Sequence, residues 1–283
     1  MTTVEMKGII DLVNFESDRL REFLSGLDEQ AWSLDSACEG WKVGDVVAHL
    51  SAGAESWANS ITRAVAGDAN PPPGQEFLGS GVRGSDSIAQ AAISARQQMG
   101  SNLLDGYTTG YDRLRQVLAS LGPEDWDKPC FHRRGQIPIQ DFVSLRVQEL
   151  AVHGWDIRSS RDKSAELWEE SLPVLVGKVP RWLRTAFRPG LGLPTPVRFR
   201  FDVSEPVPVQ EDVLVTGDSF EVETSVERSG GNQPDVTFHC NTGTYILLIY
   251  GRLDLEGASD TGRLVIEGAR DRAANFTAWF QGF

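Results

Sequence analysis

Apolar side chains recur at steps of three and four through most of the first 160 positions, then at a strict step of two over 197–203. A helix repeats every 3.6 residues and a strand every second one, so no single layer serves both stretches. The chain is expected to fold in two parts: a four-helix bundle over 1–164 and a small α/β domain over 165–283, with the change of texture near 162–168. Its 283 residues, about twice a common domain length, leave room for both.

In the first part, Ile9, Leu12, Val13, Leu20, Phe23, Leu24 and Leu27 mark a first helix. Asp45, an acid suited to a first turn, opens a second that runs through Val46, Leu50, Ala54, Trp57, Ile61 and Val65. A third helical region is predicted over 86–121, weakened near Gly100, Gly106 and Gly110 and stopped by Gly122 and Pro123. A fourth covers 139–160, and four such helices predict a bundle. The Pro-, Gly- and Ser-rich stretch 67–84 reads as a long loop, either an inert excursion or a cover over a site. In the second part a helix is predicted over 165–187, strands over 197–203, 213–215, 220–226, 235–240 and 263–267, and helices over 242–250 and 271–280.

Charge excludes some functions. Lys and Arg number 27 against 40 Asp and Glu, a formal charge of −13, and no basic run exceeds a dipeptide such as Arg133-Arg134. Phosphate-rich partners need a concentrated positive field, so neither nucleic acid nor an anionic membrane is expected as a partner. No apolar run approaches the roughly 18 residues that span a bilayer, and the first residues lack the pattern of a signal peptide, so a cytoplasmic location is the expectation. Cys38, Cys130 and Cys240 are odd in number, far apart and without a CxxC spacing, and they read as reduced thiols packed like small hydrophobes.

With only four histidines, each position carries information. His49 follows Val46 by three residues and precedes Gly53 by four, which puts it at the edge of the inward stripe of the second helix, with Gly53 leaving room for the imidazole. On the fourth helix Phe142, Arg146, Glu149, His153 and Asp156 follow steps of four, three, four and three, a polar ridge beside the apolar stripe. A carboxylate and an imidazole at i and i+4 reach one metal ion from consecutive turns. Adding His49 makes two His and one Glu, three protein ligands that leave positions open for water or substrate. A histidine bonded to a glutamate inside an ordinary core is the other reading of the same spacing, and the residues alone leave both open.

The surrounding words are more specific. SACEGWKVGDVVAHL at 36–50 and RVQELAVHGWDI at 146–157 resemble the two signatures of the mycothiol-dependent maleylpyruvate isomerase family, with a looser C-terminal match from DVT at 235–237 through YGR at 250–252. The resemblance covers nearly the whole chain. It implies a metal-binding bundle of the DinB type joined to a domain resembling sterol carrier proteins, with the metal ligands falling on His49, Glu149 and His153. It also implies a divalent ion, usually zinc, and mycothiol, a low-molecular-weight thiol, as cosubstrate. A coordinating thiol loses its proton, which makes it a nucleophile at neutral pH.

The activity expected from this resemblance is transfer of mycothiol to a small electrophile, in detoxification or natural-product biosynthesis. Cis/trans isomerisation of the maleylpyruvate type is the alternative. Two His and one carboxylate also describe non-haem Fe(II) oxygenases, and a lipid-binding protein with an inert bundle is the non-enzyme reading. Around the ligands, Asp156 is expected to orient an imidazole or a substrate group, and Arg146 to pair with Glu149 or bind substrate oxyanions. Arg252 is expected to hold an anionic group or a sugar hydroxyl from the second domain. Trp41, Trp155 and Cys38 read as packing residues, His132 and His239 as structural or surface ones.

Overall fold

The computed structural model describes residues 2–78, 85–224 and 233–282. The chain divides into two compact units, Met1–Ala165 and Glu166–Phe283.

The first unit is helical. Helix α1 (Thr3–Ser25) starts on a capping box in which the Thr2 hydroxyl accepts from the Glu5 N–H and the Glu5 carboxylate accepts from the Thr2 N–H at 2.6 Å. Its last residue is Ser25, two short of the predicted 27, with Gly26 as the cap, and it buries Met6, Val13, Leu20 and Leu24. Helix α2 (Val43–Val65) opens with the Asp45 carboxylate accepting from the Lys42 N–H at 2.8 Å. The helical region expected over 86–121 is two helices, α3 (Ser85–Met99) and α4 (Leu103–Ala119). The break falls at Gly100, whose φ of 56° is left-handed and stops a right-handed helix. Gly106 and Gly110 do not interrupt α4. Gly110 permits close packing, since a Cβ there would stand 3.1 Å from the Ser51 carbonyl of α2.

Between α4 and α5 (Ile139–Arg158) lies an antiparallel hairpin of β1 (Pro129–His132) and β2 (Gly135–Pro138), which the periodicity does not announce. The hairpin ties down the described part of the long loop: the Gln136 amide donates to Ala69 O at 3.0 Å and the Leu78 N–H to Arg133 O at 2.8 Å. Residues 79–84 of that loop lie outside the described residues. Helix α2 packs along α3, α4 and α5, while α1 packs along α4 and α5, so α2 and α5 meet inside the bundle.

In the second unit the helix expected over 165–187 is broken. A 3-10 turn at Glu169–Ser171 precedes α6 (Leu172–Val176) and α7 (Val179–Ala186), because Pro173 and Pro180 each take a first-turn position and Gly177 closes the shorter helix. Strands β3 (Val197–Val203), β4 (Val209–Thr216), β5 (Ser219–Thr224), β6 (Val236–Cys240) and β7 (Leu264–Gly268) form one sheet in the order β5-β4-β3-β6-β7. The β3–β6 pair is parallel and the others are antiparallel. The end of the strand predicted over 220–226 lies outside the described residues. Helices α8 (Thr242–Ile249), α9 (Leu255–Asp260) and α10 (Arg270–Trp279) complete the unit, α9 being unforeseen.

Phe199, Phe201, Phe238, Phe276 and Tyr245 fill the core of this unit. The alternate face of β3 is covered at Arg198 and only partly at Arg200 and Asp202. Arg198 donates to Asp212 at 3.1 Å and to Glu223 at 2.8 Å, and Arg200 donates to Asp212 through Nε and Nη2 at 2.8 and 2.9 Å. Asp212 is fully buried. Among the described residues no helix is long and apolar enough to cross a membrane.

Asp212→Ala removes the buried carboxylate shared by Arg198 and Arg200, leaving Arg198 with Glu223, and is expected to cost about 1.5–3 kcal/mol of stability. Urea unfolding followed by circular dichroism measures the loss; a cost below about 1 kcal/mol would count the network as an exposed one.

Candidate metal centre

The connector between α1 and α2 folds back on itself, with Ser36 N–H donating to Trp41 O at 2.9 Å and Asp35 bridging to Lys42. It is pinned to α5 by the Ala37 N–H, which donates to Asp156 O at 3.1 Å. Beyond it Val46, Leu50 and Ala54 bury the inward stripe of α2 completely, which turns His49 towards α5 at the edge of that stripe.

There His49, Glu149 and His153 converge, with one ligating atom from each lying within 4.8 Å of the others. His49 Nε2 is 3.2 Å and His153 Nε2 3.8 Å from the same oxygen, Glu149 Oε2. Metal–ligand bonds of roughly 2.0–2.2 Å at near-tetrahedral angles hold ligand atoms about 3.4 Å apart, and these spacings bracket that value. Two imidazoles and a carboxylate are also the donor types such an ion takes. The group is partly open, with the His49 and Glu149 side chains 22% and 25% exposed.

Protonation favours ligation. Burial pushes the His49 imidazole below its ordinary value, against the pull of the Glu149 hydrogen bond. Burial pushes Glu149 up, but the His49 hydrogen bond and the nearby His153 and Arg146 outweigh it and bring the carboxyl down to about 2. A neutral imidazole and an ionised carboxylate are the forms that bind metal.

Asp156, fully buried, stands 2.9 Å from His153 Nδ1. A carboxylate there holds the proton on Nδ1 and leaves the Nε2 lone pair facing Glu149. Trp41, read from the sequence as a packing residue, also walls the cluster: its ring stacks on His153 at 6.1 Å and meets His49 edge-on at 5.2 Å. Cys38 lies closer to the chemistry than expected, its Sγ grouping with His153 and Asp156 within 4.8 Å. Its place at the head of the 36–50 block was the available signal. Trp155 packs as read, donating to Ala165 O at 2.8 Å.

Arg146 is corrected. It is 1% exposed, inside the bundle, and donates from Nη2 to Leu50 O at 2.6 Å and to the Tyr111 hydroxyl, so it is not offered to a substrate oxyanion. Gly53 is corrected with it: a Cβ there would stand 2.8 Å from Arg146 Nη1, so the glycine makes room for the guanidinium and not for His49. Arg252 belongs to the second unit, where its guanidinium lies 5.3 Å from the Tyr250 ring. His132 meets Phe142 edge-on at 6.2 Å, and His239 is held between Asp202 at 3.0 Å and Glu267 at 3.3 Å. The second unit has a cavity of about 530 Å³, lined by Asp202, Ser204, His239, Asn241 and Arg263 among others, at the C-terminal ends of β3 and β6. Burial pushes the Cys130 and Cys240 thiols up to about 12, which leaves them inert at neutral pH.

A family model described as the mycothiol maleylpyruvate isomerase N-terminal domain matches residues 14–158, a span that contains all three converging side chains. The chain belongs to that family. No curated protein matches it. A crystal structure titled as the mycothiol-dependent maleylpyruvate isomerase superposes with a TM-score of 0.63 at 15% identity, covering 89% of this chain and 93% of that one. A histidine-to-alanine mutant of that isomerase gives 0.64 at 14% identity, covering 94% and 96%. At such identities the likeness establishes the shared fold, helical N-terminal unit followed by sheet domain.

Asp156→Asn is expected to weaken divalent-metal binding about 10- to 100-fold while helix content stays unchanged, and His49→Ala to abolish stoichiometric binding. Competition with a chromogenic chelator reads both; wild-type affinity in either variant contradicts the assignment.

Proposed function

We propose that the chain is a metal-dependent thiol transferase that uses mycothiol to attack a small electrophile. The observation that carries this reading is the convergence of His49, Glu149 and His153 inside a family defined by a mycothiol enzyme. Those three residues would hold a divalent ion, zinc by the family resemblance. When bound, such an ion lowers the pKa of a coordinating thiol from roughly 8.5, so that nucleophilic sulfur is available at neutral pH.

The chain's own residues supply the remainder. Glu149, ionised, offsets the charge of the ion, and Asp156 keeps the proton of His153 on Nδ1. The Trp41 face shields one flank of the imidazoles from water. In the second unit the Arg252 guanidinium, beside the Tyr250 ring, would bind an anionic group. In the transfer reaction a sulfur–carbon bond forms at the electrophilic carbon and the leaving group departs with the bonding pair. The second reading, isomerisation, is favoured by the family itself. There sulfur adds to one carbon of a cis double bond, the resulting single bond rotates, and the same sulfur is expelled, so the thiol is recovered.

Incubating the zinc-loaded protein with mycothiol and either maleylpyruvate or an alkyl halide separates the readings. A sulfur-bearing product that accumulates with loss of free thiol supports transfer, whereas an isomerised diacid with the thiol undiminished supports isomerisation. No turnover of either, or bound iron with oxygen uptake, overturns the thiol reading.

A further inference from the structure

A buried cation with no directly bonded carboxylate costs several kcal/mol unless its surroundings compensate. Arg146 is such a group, since Glu149 acts on it only through space. It is 1% exposed, and its hydrogen-bond acceptors are neutral: the Leu50 carbonyl at 2.6 Å and the Tyr111 hydroxyl. Its guanidinium lies between two aromatic faces, 5.0 Å from the Trp57 ring of α2 and 5.1 Å from the Tyr111 ring of α4. Nε and Nη1 find no hydrogen-bond acceptor among the described residues.

The placement of this side chain is specific. Leu50, whose carbonyl Arg146 grips, directly follows His49, and Gly53, against which Nη1 lies, is one turn further along α2. On its own helix Arg146 stands one turn before Glu149. The guanidinium therefore joins the turn of α2 that carries one ligand to the turn of α5 that carries another, and Tyr111 braces it from a third helix. Metal sites tolerate only about 0.5 Å of error in ligand placement, so sliding of α2 against α5 opens the site long before it unfolds the bundle.

We infer that Arg146 is a positioning residue, which with the space left by Gly53 sets the register of α2 against α5 at which His49 meets Glu149 and His153. The inference rests on the metal reading above. It acts through helix position and requires no contact with substrate.

The test compares Arg146→Lys and Gly53→Ala with Leu118→Ala, a cavity near the far end of α4 where Leu118 is 2% exposed. Zinc affinity is measured on the full chain by chelator competition, and the melting temperature on the metal-free protein. Arg146→Lys and Gly53→Ala are expected to weaken zinc binding about tenfold or more. Leu118→Ala is expected to lower the melting temperature at least as far and leave affinity within about twofold of wild type, since α4 meets Ser51 and Ala54 at Gly110 and Asn59 at Arg113, and Leu118 lies further along that course away from His49. Wild-type affinity in both site variants, or equal weakening by Leu118→Ala, overturns the role of Arg146. Gly53→Ala retains every charge and hydrogen-bonding group, so it carries the test alone if Arg146→Lys does not fold. A wild-type chain that binds no zinc overturns the metal reading itself, a result distinct from either.

Discussion

Two converging side chains on one helix and a third on another, 100 residues away in sequence between His49 and Glu149, could hold one ion together only if the two helices keep a fixed register. That constraint organises the first unit. Trp57 of α2 stacks flat on Phe142 of α5 at 4.6 Å and donates its indole N–H to the Phe142 carbonyl at 3.1 Å, and one turn along α5 the Arg146 guanidinium grips α2 again. Aromatic stacking supplies area and the polar contacts supply direction. Together they fix both rotation and translation of the pair, which apolar packing alone leaves soft.

Much of this was legible in the residue order, for identifiable reasons. Helices α1, α2 and α5 each expose a long apolar stripe, and their existence follows from it. The Glu149–His153 spacing and the two signature blocks pointed at the three converging side chains. The reading failed where a short-range rule competes with the period. Gly100 cuts one predicted helix in two, and Pro173, Gly177 and Pro180 break another. The hairpin over Pro129–Pro138 has strands of four residues, too short for alternation to register.

The errors around the site have a different origin. Arginine is rarely buried without a partner charge, so a sequence reading pairs Arg146 with Glu149 or gives it to a substrate oxyanion. Only the coordinates reveal that Gly53 has vacated the space it occupies. The same logic applies to Arg198 in the second unit, which sits on the alternate positions of β3 and yet is enclosed with Asp212 and Glu223. A strand read as half-buried by its alternation gains a buried position on its polar face where opposite charges pair across neighbouring strands, while Arg200 and Asp202 stay partly exposed.

Asp156 makes two attachments with different parts of itself: its side chain meets the His153 ring, while its backbone carbonyl receives the Ala37 amide. The first sets the tilt of an imidazole and the second anchors the segment that brings Trp41 over that same ring. The tryptophan face and the histidine it shields are thus fastened to a common post. A displacement of the last turns of α5 therefore acts on the shield and the shielded group through one residue.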